Sequence, residues 1–244
     1  MLALIFLSGL IVGSFLNVLI YRLPQGEGVA VSRSYCPKCK TKLAALDLVP
    51  VLSYLLLRGR CRYCNTKVSR QYPLVELVTG GLVVGLFQQY HLSSQFMTYS
   101  LLVALLIVAS VIDFKLMIIP NKITYLGIIS GLLASVVFNH ISVRASLLGL
   151  LIPAGLLLII ALVGGMGLGD VKLVAMIGSF IGLRDTLVGI FFGSLIGSIL
   201  GVGLISLGIK NRKSRIPFGP FIAIGTILVL LFREPIINFY FQLY

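Results

Sequence analysis

Residues 97–114 read MTYSLLVALLIVASVIDF, and this stretch decides the class of fold. It carries no charged side chain before Asp113, and its length approaches that of a helix crossing a hydrocarbon layer about 30 Å thick. Similar runs recur along the 244 residues, which are 58% hydrophobic and 11% charged, with a mean hydropathy of +1.07. An average soluble domain has about 25% charged residues. The sequence therefore predicts an all-α polytopic protein embedded in a lipid bilayer.

Eight apolar runs are candidate membrane spans, separated by glycine, proline and charged residues. They cover 2–21, 74–90, 97–114, 122–138, 145–164, 171–183, 186–208 and 217–232. The first run has no basic leader before it, so we expect a retained span and not a cleaved signal peptide. Glycines at spacing four in the seventh span predict close packing against another helix. The expected organisation is a first helix at 1–21, a soluble domain at 22–72 and a membrane core at 73–244.

The basic residues predict an orientation, because Lys and Arg close to span ends stay on the cytoplasmic side. With the N-terminus outside, all but three of the 20 Lys and Arg residues are cytoplasmic, including the segment 210–215. The three exceptions are Arg144, Arg184 and Arg233. We therefore expect both termini outside and the 22–72 domain in the cytoplasm. This topology explains the net charge of +13, so we expect no nucleic-acid partner.

All four cysteines lie in the 22–72 segment. Cys36 and Cys39 form one C-x2-C pair, 21 residues separate it from the next, and Cys61 and Cys64 form the second. This spacing is typical of a zinc ribbon, in which four thiolates close a tetrahedral structural site. Two disulfides or free thiols are the alternatives, and the reducing cytoplasm disfavours disulfides. The pattern predicts structural Zn²⁺ in a small zinc-ribbon-like domain.

Two of the seven acidic residues stand at the ends of apolar runs. Asp113 closes the third span and Asp170 opens the sixth, and the orientation places both on the cytoplasmic side. A carboxylate near membrane depth is costly and is a candidate functional residue. Lys115 and Lys172 each follow two residues later, so two ordinary interfacial charges are the alternative. Glycines at 164, 165, 167 and 169 favour an irregular backbone that a substrate strand approaches closely.

Two neighbouring carboxylates are able to share one proton and hydrolyse a peptide. The ionised group activates water while the neutral group protonates the leaving amine, and the sequence does not assign these roles to either Asp. Glu76, at the start of the second span, is expected to pair with Arg70 at the interface, and a position close to the catalytic face is the alternative. A transporter is the alternative from another class, but it predicts midplane acids and repeated halves. A zinc-ribbon binding module on a membrane anchor would not need eight spans.

Several motifs together resemble the type IV prepilin peptidases, a branch of the GxGD aspartyl proteases. Residues 167–170 (GLGD) resemble the GxGD motif, and Ile112 precedes Asp113 where the presenilin and signal-peptide-peptidase branch has Tyr. The other matching stretches are 13–18 (GSFLNV), 21–24 (YRLP), 72–77 (YPLVEL), 119–121 (IPN) and 216–221 (IPFGPF). The resemblance runs from end to end of the chain.

The resemblance implies an enzyme that removes the basic leader of prepilins and pilin-like pseudopilins at the cytoplasmic face. It implies Asp113 and Asp170 as the catalytic pair, in the core at 73–244. Members with the cysteine loop also N-methylate the new N-terminus with S-adenosylmethionine, which associates 22–72 with methyl transfer. By the same resemblance Gly59 is expected to serve methyl transfer, although a turn glycine is the alternative. The sequence shows no Gly-rich donor site and leaves the oligomeric state open.

Overall fold

A computed structural model describes residues 1–28, 34–164, 166–209, 211 and 216–233. Eight α-helices follow one another: α1 Leu2–Arg22, α2 Leu52–Leu56, α3 Gln71–Tyr90, α4 Ser94–Leu116, α5 Asn121–Val137, α6 Val143–Leu162, α7 Leu168–Ser206 and α8 Gly219–Leu231. Apart from two isolated antiparallel bridges, the described residues form no β-structure. The chain divides into two compact units, Met1–His91 and Leu92–Tyr244.

Helices occupy all eight predicted span positions, which confirms an all-helical membrane fold. Four are long and apolar enough to cross a membrane, namely Leu2–Gln25, Ser94–Leu116, Val143–Leu162 and Leu168–Ser206. Asn121–Val137 and Gly219–Leu231 are shorter apolar helices. The count of eight crossings therefore stays a prediction. Of the residues used to predict orientation and the glycine-rich turn, Arg33, Lys210, 212–215 and Gly165 lie outside the described part of the chain.

The first unit is built on the packing of α1 against α3. A Cβ added at Gly9 would lie 2.7 Å from Gly80 Cα, and one at Gly13 would lie 2.7 Å from Glu76 Cα. Residue numbers therefore rise along α1 as they fall along α3, so the two helices are antiparallel. Because glycine has no side chain, the two backbones approach to a distance that any larger residue would prevent.

The second unit is organised around α7, which packs against α5, α6 and α8. The predicted glycine stripe of α7 faces α8: Gly189 lies against Thr226, and Gly193 and Gly197 lie against the Phe221 region. The prediction that this stripe is a packing surface is confirmed. Where α6 crosses α7, Gly149 of α6 lies directly against Gly178 of α7.

A break at Gly182 divides α7 in two. Thirty-nine residues of continuous helix would extend roughly 58 Å, about twice the hydrocarbon thickness. Gly182 interrupts the helix with φ 77° and ψ 179°, a backbone region that is accessible essentially only to glycine. The sixth and seventh predicted spans are thus joined by one non-helical residue, whereas the sequence indicated a turn around Arg184 and Asp185.

Side chains from α6, from the loop before α6 and from α7 itself form hydrogen bonds with the backbone carbonyl groups around this break. Ser146 Oγ donates to Ser179 O at 2.6 Å, His140 Nε2 lies 2.9 Å from Phe180 O, and Thr186 Oγ1 donates to Gly182 O at 2.6 Å. Without partners, carbonyl groups freed in the membrane would each cost several kcal/mol. His140 lies in the loop between α5 and α6 and is buried at this position.

We expect Gly178→Ala to destabilise the protein by about 1–3 kcal/mol, because the new methyl group would overlap the backbone of Gly149. Gly155→Ala is the matched control, since Gly155 lies on α6 with no atom within 4 Å of the added Cβ. Denaturant unfolding in detergent would measure both variants. Equal unfolding midpoints would contradict the close crossing of α6 and α7.

Candidate active site and metal site

Asp113 is held at the C-terminal end of α4 by a partner from α8. The helix ends three residues later, where Met117 adopts φ 55° and donates its N–H to the Asp113 carbonyl at 2.8 Å. The carboxylate is buried, and its Oδ2 accepts the Gly219 N–H at 3.1 Å. Gly219 is the first residue of α8, so its N–H has no partner within that helix. This N–H orients the Asp113 carboxylate.

Asp170 lies in the first turn of α7, after the N-cap residue Gly167. Its N–H donates to the Gly167 carbonyl at 3.1 Å, and its side chain is partly exposed. A Cβ at Gly167 would lie 3.7 Å from Asp170 Oδ2, so the glycine leaves one side of the carboxylate open. The GLGD stretch therefore presents a carboxylate beside an uncovered backbone.

The structure brings Asp113 and Asp170 together, and their carboxylates are near enough to interact electrostatically. Ile119 lies between the start of α7, which carries Asp170, and the start of α8, whose Gly219 N–H binds Asp113. A Cβ added at Gly169 would lie 3.2 Å from Ile119 Cβ, and one at Gly219 would lie 3.3 Å from Ile119 Cδ1. Both glycines make room for this side chain, so the α4–α5 turn, the start of α7 and the start of α8 converge.

Lys172, which follows Asp170 by two residues, is engaged elsewhere. Its Nζ donates to Asn121 Oδ1 at 2.8 Å and lies 5.4 Å from the centre of the Tyr125 ring. Both partners belong to α5. This hydrogen bond ties the first turn of α7 to the first turn of α5, which holds Asp170 close to the α4–α5 turn.

The four cysteines lie on two turns of the same construction. In the first, Cys36 N–H donates to Thr41 O at 3.0 Å, and Tyr35 bridges to Lys42. In the second, the Cys61 N–H donates to Thr66 O at 2.8 Å, and Arg60 bridges to Lys67. Lys40 and Asn65 occupy the equivalent position after each pair with φ 58° and 57°. Each turn thus points both of its thiols to the same side.

The four sulfur atoms converge on one point and fit a metal ion. They all lie within 4.8 Å of one another, and Cys36 Sγ is 3.8 Å from Cys64 Sγ. Metal–sulfur bonds of about 2.3 Å in a tetrahedron give sulfur–sulfur edges of about 3.8 Å. No disulfide bond joins the four cysteines in the structure.

Two threonines assist the second thiol of each pair. A hydrogen bond with the Thr66 hydroxyl, at 3.3 Å, lowers the pKa of Cys64 to about 6. The Thr41 side chain likewise lowers the pKa of Cys39, whereas burial raises the pKa of Cys36. The thiolate is the form that binds a metal. The threonines therefore prepare one ligand in each turn.

Gly59 joins α2 to the second cysteine turn and is closely covered. It has φ 67°, and an added Cβ would lie 2.8 Å from Tyr54 Oη. Its N–H donates to Tyr54 O at 2.8 Å, and its carbonyl accepts from Val68 N–H at 2.8 Å. Because the Tyr54 ring fills the space beside Gly59, there is no open space next to this glycine for a methyl donor. Its assignment to methyl transfer stays a prediction.

Glu76 has a partner that the sequence did not reveal. It is buried on α3, and its Oε2 accepts the Val51 N–H at 2.8 Å. The expected pairing with Arg70 is replaced by this bond, which ties the cysteine segment to α3. An acidic residue at position 76, within an apolar stretch, indicates a residue that needs a partner. Its partner could not be predicted, because Val51 lies 25 residues away in a segment with no regular periodicity.

The fold and its two centres define a helical membrane protein with a paired-carboxylate site and a four-cysteine site. Residues 7–90 match the bacterial peptidase A24 N-terminal domain, and residues 100–202 match the type IV leader peptidase family. This chain belongs to the type IV leader peptidase family.

Several curated proteins are similar over nearly their full length. A prepilin leader peptidase/N-methyltransferase of Bacillus subtilis (strain 168) is 34% identical over 245 residues, covering 100% of this chain and 99% of the relative. Proteins with the same name from Aeromonas hydrophila and Legionella pneumophila are 34% and 30% identical, covering 98% and 96% of this chain and 93% and 92% of the relatives. No solved structure matches significantly.

Proposed function

We propose that this chain is an aspartyl endopeptidase that removes the leader from prepilins and pilin-like pseudopilins, with Asp113 and Asp170 as its catalytic pair. The observation that carries the proposal is the meeting of two carboxylates from separate helix ends, one buried and one partly exposed. Family membership and the names of the relatives support leader cleavage.

The pair hydrolyses the peptide without a covalent intermediate. One ionised carboxylate takes a proton from water, and the resulting hydroxide adds to the scissile carbonyl carbon. The protonated carboxyl donates its proton to the departing nitrogen as the C–N bond breaks. In this mechanism the two carboxylates hold one proton between them, because neighbouring negative charges repel. The Gly219 N–H keeps the Asp113 side chain aligned during these steps.

The glycines around the pair admit an extended substrate. Gly167, three residues before Asp170, has no side chain, and a Cβ added there would lie 3.7 Å from Asp170 Oδ2, so the substrate backbone approaches the carboxylate closely on that side. The start of α7 exposes N–H groups that helical bonding leaves free. We infer that the scissile segment lies along 167–170.

Cleavage is tested with the purified chain and a prepilin that carries its leader. We expect one new product, shortened by the leader, on gels and by mass spectrometry. The mass of the product identifies the cleaved bond without the use of an inhibitor, because the substrate sequence fixes the mass expected for each cleavage position. A prepilin that stays intact with folded protein would refute the proposal.

The domain organisation and orientation belong to the same proposal. The first helix is 1–21, the cysteine domain is 22–72 and the peptidase core is 73–244, with up to eight crossings. The excess of basic residues in the proposed cytoplasmic segments supports N- and C-termini outside a bacterial inner membrane. The convergence of four sulfur atoms supports structural Zn²⁺ in a zinc-ribbon-like domain.

We also propose that the chain N-methylates the new N-terminus, with S-adenosylmethionine as methyl donor. The match to the N-terminal domain and the relatives' names support this activity. The donor supplies an electrophilic methyl group, and the amine must be neutral and held in line with it. Gly59 contributes by shaping the turn beneath Tyr54, on which the position of the second cysteine pair depends.

We expect Gly59→Ala to reduce methylation strongly and to leave cleavage largely intact. The added Cβ would overlap Tyr54 and would force alanine into the left-handed region, at about 1–2 kcal/mol. Gly26→Ala is the control, because Gly26 has φ 71° but no atom within 4 Å of the added Cβ. Mass spectrometry of the product separates the two reactions. A parallel loss of cleavage and methylation would contradict a separate role for this turn.

A further inference from the structure

An exposed apolar surface lies between the two cysteine turns. Six side chains of the segment 45–56 are at least 36% exposed, and three of them are more than 60% exposed. We call these residues the leucine surface: Leu46, Leu48, Val49, Leu52, Leu55 and Leu56. Leu56 is 82% exposed and Leu46 is 70% exposed. Exposing such a cluster to water forfeits the hydrophobic gain of burial and normally marks a binding surface.

The bond between Val51 and Glu76 sets the depth of the leucine surface. Glu76 lies five residues beyond the start of α3, beside Gly13 of α1. Gly13 is nine residues before Arg22, the first charged residue of α1, which is roughly 14 Å of helix. The Glu76 side chain points back along α3 toward the level of Arg22, but it does not span the whole of this distance. Val51, which is bonded to it, therefore lies closer to the bilayer centre than Arg22 does. The segment around Val51 therefore lies alongside the apolar part of α1.

Val51 itself is in a costly conformation. It has φ 61° and ψ −49°, a region that a β-branched residue rarely occupies. The Glu76 carboxylate compensates by accepting its N–H, and the same carboxylate interacts with Ser14 of α1. A strained residue bonded to Glu76 of α3, whose carboxylate also interacts with α1, indicates that the position of the leucine surface is fixed, because a free loop would relax.

The charges around the leucine surface complement an anionic bilayer. Residues 34–72 contain eight Lys and Arg and a single acid, Asp47. Asp47 is already paired with Arg62, with 2.7 Å between Oδ1 and Nε. Basic residues beside an apolar surface bind anionic headgroups while the apolar side chains enter the acyl region. A basic leader peptide would be repelled by the same residues.

We infer that the leucine surface is inserted into the leaflet on the side of the cysteine turns, with anionic phospholipid around it. Glu76 and Val51 fix its depth, and the Lys and Arg residues of the two turns remain at the headgroup level. The cysteine segment is thereby a monotopic membrane element, anchored beside α1 and α3 within the first unit. This assignment is independent of the peptidase proposal and of the metal.

The absence of tryptophan from the natural sequence gives a direct test. Leu56→Trp introduces one fluorophore at the leucine surface, and Leu46→Trp provides a second, independent position. Leu4→Trp, on the exposed face of α1, is the acyl-region control, and Lys38→Trp, at the exposed tip of the first cysteine turn, is the control outside the acyl region. Each full-length variant is placed in nanodiscs of phosphatidylcholine and phosphatidylglycerol, with and without bromine on the acyl chains.

We expect Leu56→Trp and Leu46→Trp to resemble Leu4→Trp, with a blue-shifted emission and strong quenching by brominated lipid. Lys38→Trp should emit at longer wavelength and be quenched much less. If both positions behaved as Lys38→Trp does, the inference would be overturned. It would also be overturned if brominated lipid left both unquenched while an added prepilin shifted their emission, since the occupant would then be the substrate.

Discussion

Asp113→Asn and Asp170→Asn should each abolish leader cleavage, with a loss on the order of 10³-fold or more in kcat/KM. An asparagine neither takes a proton from water nor donates one to the departing amine. The two losses should be strongly non-additive, because in the proposed mechanism the carboxylates act as one unit that holds a shared proton. A prepilin cleavage assay on the single and double variants would measure this.

Asp185→Asn is the matched control for both substitutions. Asp185 lies on the same helix as Asp170, beyond the break at Gly182, and pairs with Arg233 with 3.2 Å between Oδ2 and Nε. This variant should retain cleavage and lose only some thermal stability. Full activity in Asp113→Asn or Asp170→Asn would remove the pair from the mechanism. Unfolding curves that match the parent protein are needed for a loss to count.

Cys36→Ser should release the metal and unfold the cysteine segment. Structural zinc contributes apparent binding free energies of about 10–16 kcal/mol in small zinc domains, and three thiolates leave the tetrahedron open. The parent protein should hold about one zinc per chain, and the variant far less after dialysis against a mild chelator. Elemental analysis and protease resistance of the 34–72 segment would measure the two effects.

Tyr63→Phe is the control for the cysteine substitution. Tyr63 lies between Cys61 and Cys64, and its hydroxyl donates to Asp47 Oδ2 at 3.1 Å. Its replacement removes one hydrogen bond and leaves the four thiolates in place, so the metal content should not change. A parent protein without bound metal, or a Cys36→Ser variant with undiminished metal, would rule out the proposed centre.

The helices and the cysteine turns were accessible from the sequence because their signals are local. An apolar run long enough to cross a bilayer forms a helix wherever it lies, since unpaired backbone groups are too costly in lipid. The C-x2-C pairs likewise set each turn within a few residues. The stripe from Gly189 to Gly201 showed that one face of α7 is a packing surface, though not that α8 covers it.

The contacts between distant residues were not accessible in the same way. Glu76 and Val51 pair across 25 residues, and His140 reaches Phe180 across 40. His140 lies in the loop between α5 and α6, and nothing near it in the sequence reveals that a helix 40 residues later breaks and frees its carbonyl groups. Gly149 and Gly178 also appear as isolated glycines until their two helices cross.

The sequence by itself determined that this is a helical membrane protein with two C-x2-C pairs in one segment and two carboxylates at the ends of apolar runs. Apolarity, charge and short-range spacing are sufficient for that result, because they act on neighbouring residues. Only the tertiary structure decided that Asp113 and Asp170 come near each other, since the chain between them folds into α5 and α6, with their connecting turns, before it returns. Their meeting depends on Ile119 fitting against Gly169 and Gly219, which is a property of close packing and not of any single segment.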